Sequence, residues 1–593
     1  MDGFILGTNY WPRRTGVNMW ERWDPAAVDA ELGEVAALGL GAVRIFLLWR
    51  DFQPGPAAVD PAALSKLDQF LALAQRWGLG VVPTCFTGHM SGENYDVPWR
   101  QGRCPYTDPE LLRAQAFLLA TLGRRYREHP ALLFWDLANE PDIFRRPPSA
   151  AAGWLWARFL AGELRRADPH HPVTVGLHLG CLTADVGLRP ADLAEACDFL
   201  SLHAYPMYTS LCPDPPEALR PGYLAAFAAR LVAGMTGERV LVEEFGTSSQ
   251  LWGAAAEGAH HGTVLGSLLA NGARGAFGWC FGDFACDEEP PYEATPYEAA
   301  FGLTDAAGRV KPSGEAWCRF AAFLAGAGLS DATPEPAGAA ILIPDAYYDH
   351  PDGLTPERHA GVLFNAFVLA KQAGLDVDFL PARAAPGPYR LLIMPSWPRR
   401  GGLGAAAWRR VREFVRGGGV LYLSYDGFAA AELAELAGAR LLGPRPGPGG
   451  VSFADRGLGT DLSCSPGVPW HLGVQPGAGR LLAADPALAG GLLEHHPDRG
   501  GVLLATWPLE WDLGRRSNPY PTDRSYLVYR RAGELAGLAP PVRPPSLEVR
   551  GWRRGEGRRL LAVNHGAQPV AVEPGGAGEL APGETRLLSG EVA

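Results

Sequence analysis

Two short stretches carry residues whose types and spacing could do chemistry. The first is LLFWDLANEPD, from Leu132 to Asp142. Leu132 to Leu137 are apolar apart from one aspartate and contain no proline or glycine, the pattern of a strand buried on both faces. Asn139 and Glu140 follow where that strand ends. A buried carboxylate costs several kcal/mol unless it is paired or used, and catalytic groups of α/β barrels sit at the C-terminal ends of their strands. The bland alternative is a loop glutamate that caps the next helix. The second stretch is VLVEEFG, from Val240 to Gly246, another apolar strand ending in carboxylates. Two strand-end glutamates, Glu140 and Glu244, are the minimal equipment for double displacement at a glycosidic carbon. One protonates the leaving oxygen while the other attacks.

A barrel is needed to bring them together, and the first ~328 residues read as one. Strand signals fall at Phe4–Thr8, Ala42–Leu48, Gly80–Thr84, Leu132–Ala138, Val173–Leu177, Phe199–His203, Arg239–Glu244 and Gly275–Phe281. Helical patterns lie between them, three opening on Asp-Pro at Asp24, Asp60 and Asp108, an N-cap followed by proline at the first helical position. Alternation of eight strands with helices predicts a (β/α)8 TIM barrel over residues 1–328.

After a Pro- and Ala-rich linker from Ser330 to Gly338 the striping restarts. AAILIP, VDFL, RLLIMPS and VLYLS predict a doubly wound α/β domain over 338–540. Residues 438–475, rich in Gly and Pro, give no clear periodicity. Alternating segments from 545 to 593 predict a small antiparallel β domain, a β-sandwich.

A chain of 593 residues with 47% hydrophobic and 20% charged residues can bury several cores. A formal charge of −11 without clustered Lys/Arg argues against nucleic acid. No apolar run reaches the ~18 residues of a membrane span, and MDGFILGTNYWP lacks the features of a signal peptide. The nine cysteines are odd in number and form no CxxC pair, which suggests free thiols in a reducing cytoplasm. No ligand spacing suggests a metal, and the chemistry needs no cofactor.

The strand-end motifs ANEP (138–141) and EFG (244–246) resemble the acid/base and nucleophile signatures of clan A retaining glycosidases, most of all glycoside hydrolase family 5. GTNYWPRR (7–14), VRIFLLW (43–49) and FTGHMSG (86–92) resemble its β-mannosidase-containing subgroup. The resemblance implies Glu140 as acid/base, with a pKa raised so that it stays protonated near neutral pH, and Glu244 as nucleophile, kept ionised by Arg44. Glu243 is the rival nucleophile. Alternation along a strand would point it to the opposite face, and the family pattern puts the nucleophile directly before the aromatic residue. The resemblance further implies Asn139 on the sugar 2-hydroxyl and His203 and Tyr205 orienting the nucleophile. It places His89 on the sugar and Trp279 beneath it.

Tyr10, Trp11, Trp49, Tyr95 and Trp99 crowd other strand ends and suit a sugar cleft, Trp49 foremost among them as a binding residue. Asp283, with Asp287 and Glu288, could bind hydroxyls at a closed end of the pocket. The second domain resembles the amidotransferase-like fold, with Ser424-Tyr425-Asp426 where that family has its cysteine elbow, so no second active site is expected. Its position after a barrel resembles family 42 β-galactosidases, which implies a homo-oligomer, a trimer. The expectation is therefore a cytoplasmic retaining exo-β-glycosidase acting on short oligosaccharides or β-glycosides, a β-mannosidase before a β-galactosidase or β-glucosidase. The rival from another class is a non-catalytic carbohydrate-binding protein.

Overall fold

The computed structural model describes all residues except 1–2, 330–331, 351–352, 399–402, 428–432, 486, 488, 539–540, 556, 573–577 and 589–593. The first part of the chain closes a barrel of eight parallel strands: β1 (Ile5–Asn9), β2 (Ala42–Leu48), β3 (Gly80–Thr87), β4 (Trp135–Asn139), β5 (Val173–His178), β6 (Ser201–His203), β7 (Leu241–Phe245) and β8 (Gly275–Gly278). Each pairs with its sequence neighbour and β8 returns to β1. The carboxylates of Asp24, Asp60 and Asp108 cap their helices by accepting from backbone N–H groups of the first turn, each with proline following. A plug of Ala42, Val82, Phe134, Phe199, Leu241 and Phe277 packs on itself as a separate apolar cluster. Leu132 and Leu133 precede β4 rather than belong to it: Leu132 makes only an isolated bridge to Val81.

Strand β7 departs from regular pairing on both sides. Val242 pairs with Leu202 and Glu244 with His203 on β6, while Val242 pairs with Ala276 and Phe245 with Gly278 on β8. The extra residue is a β-bulge at Glu243–Glu244, and a bulge re-aims side chains that alternation would separate.

The second domain is a nine-stranded sheet. Five parallel strands, β9 (Ala339–Ile343), β10 (Val377–Pro381), β11 (Leu391–Met394), β12 (Val420–Ser424) and β17 (Gly501–Ala505), run in the order β10-β9-β11-β12-β17. The sheet then continues with antiparallel strands β16 (Gly490–His495), β15 (Arg480–Asp485), β13 (Val451–Asp455) and β14 (Leu462–Cys464). The stretch without readable periodicity, 438–475, supplies the outer two of these strands, and its flanks, Ala439–Pro446 and Trp470–Pro476, pair as a separate two-stranded sheet. Strand β14 is three residues long, and β13 buries one residue in five, too little for a hydrophobic stripe.

Near the C-terminus, β18 (Leu547–Arg554), β19 (Gly557–Asn564) and β20 (Thr585–Leu588) form an antiparallel sheet. Thr333–Pro334, from the expected linker, joins its edge against Trp552 and Arg553. The linker is therefore part of a sheet rather than a free connection, although Ser330 lies outside the described residues. One four-stranded sheet and a short pair, Val570–Ala571 with Glu579–Leu580, stand where a β-sandwich was expected. No described helix is long and apolar enough to cross a membrane.

Candidate active site

Arg44, wholly buried on β2, organises the strand ends. Its Nη1 donates to Glu244 Oε1 at 2.5 Å and to Asn9 Oδ1 at 3.1 Å; its Nη2 donates to Asp136 Oδ2 at 2.8 Å and to Asn139 Oδ1 at 2.9 Å. Glu243 Oε1 lies 3.4 Å from Arg44 Nε. The bulge therefore turns both glutamates of β7 toward one cation, against the expectation that Glu243 faces away. Only Glu244 reaches the cleft. Glu243 instead accepts from the Ser201 hydroxyl at 2.6 Å and is wholly buried. Glycine at 176 leaves the space this cluster needs: a Cβ there would stand 2.9 Å from His203 Nε2 and 3.0 Å from Arg44 Nη2.

Glu140 leaves β4 in the left-handed region, at φ 44° and ψ 54°, while its N–H donates to the Gly176 carbonyl at 3.0 Å. A non-glycine residue held there costs on the order of 1–3 kcal/mol. Its side chain makes no capping bond to the helix that follows, which removes the bland reading of this residue. Instead Glu140 Oε1 sits 2.8 Å from His203 Nδ1. His203 Nδ1 is also 3.5 Å from Glu244 Oε2, which accepts from the Tyr205 hydroxyl at 2.7 Å. One ligand atom from each of Glu140, His203 and Glu244 lies within 4.8 Å of the others. That spacing fits the ~5 Å of paired carboxylates in double displacement.

The electrostatics invert part of the expectation. Burial pushes His203 down, but the Glu244 and Glu140 carboxylates outweigh it and hold the imidazolium up to about 10. Burial pushes Glu140 up, but the hydrogen bond and charge of His203, with His178 and His89 beyond, bring it down to about 2. Glu244 is raised by burial and by Glu140, against His203 and Arg44. Asp136 is pushed up to about 7 by burial and Glu243. The directions thus favour His203 as the cation and Glu140 as the carboxylate, the reverse of the expected protonated Glu140. Four carboxylates, Asp136, Glu140, Glu243 and Glu244, surround Arg44 and His203, so the cluster holds its protons in common.

A cleft of about 230 Å³ opens above these groups, lined by His89, Asn139, Glu140, Tyr205, Glu244 and Trp279 among the residues anticipated from sequence. Asn139 donates from Nδ2 to the His89 carbonyl at 3.1 Å, and His89 Nδ1 pairs with Asn94 Oδ1 at 2.8 Å. His203 lies beneath, completely buried.

Trp49 and Asp283 do not line this cleft. Trp49 packs edge-on against Phe86 and Trp99 and donates to Gln53 Oε1 at 2.6 Å, so it is core. Asp283 accepts from Lys311 Nζ at 2.9 Å and the Gly302 N–H at 2.7 Å, pinning the loop after β8. Asp287 and Glu288 are exposed. Tyr10 bonds Glu31, Trp11 stacks on Phe46, and Tyr95 and Trp99 also pack away from the cleft. In their place the cleft takes His178, Tyr208, Tyr297 and Glu298. Apart from His178 at the end of β5, these sit on long βα loops, and no periodicity marked them.

No protein-family model matches the chain. Among curated proteins it is 26% identical over 186 residues to a probable mannan endo-1,4-beta-mannosidase C of Aspergillus terreus, covering 28% of this chain. The chain spans 44% of that relative's length and 59% of a second, the "Putative mannan endo-1,4-beta-mannosidase 5" of Oryza sativa subsp. japonica, to which it is 24% identical. Among solved structures it is similar to the exo-beta-1,4-mannosidase Op5Man5 of an Opitutaceae bacterium, with 24% identity, a TM-score of 0.78 and coverage of 89% of this chain and 96% of that one. It is also similar to the beta-galactosidase of Rahnella sp. R3, at 16% identity and a TM-score of 0.70 over 99% and 98% of the two chains. The structural likenesses establish the fold, a TIM barrel with further sheet domains, shared with solved GH5_18 and GH42 proteins.

Proposed function

We propose that the chain is a retaining exo-β-glycosidase that releases terminal β-linked mannose from short oligosaccharides. The carrying observation is that Glu140 and Glu244 meet across His203 within 4.8 Å at the floor of one cleft. In this reading the sugar enters and displaces water, and the proton of His203 passes along the 2.8 Å contact to Glu140. An ion pair becomes a neutral acid and a neutral imidazole, as removal of solvent favours. Glu244 then attacks the anomeric carbon, the bond to the leaving oxygen breaks, and Glu140 protonates that oxygen. In the second step Glu140 takes a proton from water, the water oxygen displaces Glu244, and the free sugar leaves. Tyr205 and Arg44 hold the two oxygens of Glu244 in line throughout.

The small volume supports exo action, since it lies below the ~300–1,000 Å³ of drug-sized sites. The mannose assignment leans on the mannosidase names of the relatives and of one fold neighbour. The whole-length likeness to a beta-galactosidase favours galactose as the second reading. A non-catalytic sugar-binding protein would leave the Glu140–His203–Glu244 arrangement without a task. We further propose a cytoplasmic homotrimer. The nine free cysteines suit a reducing compartment, and light scattering tests the trimer.

The deciding experiment compares initial rates on p-nitrophenyl β-mannoside, β-galactoside, β-glucoside and β-fucoside, beside Glu244→Ala, with the product anomer read by NMR. Mannoside turnover with retention, lost in the variant, is the expected result. Absence of turnover on every glycoside would sink the reading.

A further inference from the structure

Glu298 is a carboxylate inside the cleft that the proposed chemistry does not use. It sits on a short 3-10 segment, Pro296–Ala300, in the loop after β8, and is 8% exposed. The hydroxyl of Tyr208, from Pro206–Tyr208 after β6, donates to its Oε1. Ser91, from the loop after β3, lines the same wall, its Oγ buried without a hydrogen-bond partner. Three separate βα loops thus converge on one wall, and Glu298, Tyr208 and Ser91 all face the same space as Glu140 and Glu244. No ion pair to Glu298 occurs among the described residues. Burial pushes its carboxyl up, the Tyr208 hydroxyl lowers it and the nearby Glu244 and Glu140 raise it, to about 7. A group so desolvated, with a hydroxyl on one oxygen and no cation, gains most from a ligand that brings hydrogen-bond donors without charge.

We propose that Glu298, held by Tyr208, is a specificity-determining residue that accepts hydrogen bonds from hydroxyls of the bound sugar and excludes anionic sugars. Together with Glu244, the ionised nucleophile of the proposed chemistry, it sets a second acidic group against one ligand, so a uronic acid or sulfated sugar meets like charge in a low-dielectric wall. The proposal rests on the glycosidase reading for its substrate class, although its binding prediction stands apart from turnover.

The test uses the full chain as wild type, Glu298→Ala, Glu298→Gln and Tyr208→Phe. Each is assayed on the best p-nitrophenyl glycoside, its singly deoxygenated analogues and the matching uronide. Loss of a hydrogen bond to a charged group predicts a drop of about 10- to 100-fold in kcat/KM for Glu298→Ala. One deoxy analogue should lose the same factor on wild type and nothing further on the variant, and the preference for neutral sugar over uronide should shrink. If Glu298→Ala keeps wild-type kcat/KM, or if its loss is the same on every analogue, the proposal is overturned. Should wild type hydrolyse nothing, the glycosidase reading falls by itself. Calorimetric binding of mannose, galactose, glucose and glucuronic acid to wild type and Glu298→Ala then decides the inference. Preferential neutral-sugar binding that depends on Glu298 supports it; indifference overturns it.

Discussion

Two buried carboxylate clusters, one at the strand ends around Arg44 and one at the junction of the three sheets around Glu548, use similar residues to opposite effect. Glu548, on β18, accepts from Lys371 at 3.0 Å, His565 at 2.8 Å, Asn271 at 2.8 Å and the Ser267 hydroxyl at 3.0 Å. These partners come from the second domain, the C-terminal sheet and the barrel. Burial pushes Glu548 up, but Lys371 and His565 bring it down to about 2. Every acceptor site is filled, and Glu548 lines none of the described pockets. The Arg44 cluster has more carboxylates than cations, shares its protons and opens onto a cleft. A buried charge that is fully paired holds domains together; one that is under-compensated and accessible is poised to exchange a proton.

The sharpest way to break that contrast is substitution on each side. Glu244→Ala should lower turnover by at least the ~10²–10⁴-fold of a positioned catalytic group, with its melting temperature near that of wild type. Glu548→Gln should keep specific activity per folded molecule yet lose about 3 kcal/mol of stability in urea, because buried Lys371 then keeps only its 3.5 Å contact with Asp376. Equal losses of activity in the two variants would erase the distinction.

The pH dependence separates the clusters next. Glu548 is depressed in the folded state, so its stabilisation is present above an ordinary carboxylate pKa near 4.5 and is lost as pH falls toward about 2. That term amounts to about 3 kcal/mol and should vanish from acid unfolding curves of Glu548→Gln. His203 is raised, so its ion pair is complete below its unfolded pKa near 6.5 and lost as pH rises through about 10. Turnover should fall on that alkaline limb, and His203→Asn should remove the limb along with most of the activity.

Glu140→Gln sharpens the comparison through the leaving group. Its defect should be large on unactivated disaccharides and smaller on 2,4-dinitrophenyl glycosides, whose leaving oxygen needs little protonation. A uniform defect would take the acid role from Glu140. The smallest effect is expected at Trp49→Phe. Loss of one hydrogen bond and part of an edge-on contact costs about 1–2 kcal/mol of stability, with kcat and KM unchanged. A raised KM would return Trp49 to the binding site.

Much of the barrel was legible because its strands are apolar on both faces and its helices begin at Asp-Pro caps, signals that depend only on near neighbours. Strand β2 coincides with its expected bounds from Ala42 to Leu48. The outer edge of the second sheet was not legible, since β13 buries one residue in five and β14 is only three residues long. Trp49 and Asp283 misled for one reason: a strand-end aromatic or acid reads alike whether it faces the cleft or, as here, packs on Trp99 or Lys311.

Local sequence determined the eight-stranded barrel and the position of Glu140 and Glu244 at strand ends, because burial patterns and caps act over a few residues. Only the tertiary structure decided what those positions become. The bulge in β7 turns Glu243 and Glu244 onto one arginine, and the left-handed turn at Glu140 brings it to His203. Where the proton sits, and which loop acid faces the ligand, depends on charges brought within a few ångströms from strands some sixty to two hundred residues apart in sequence. Coulomb interactions at that range obey distance in space.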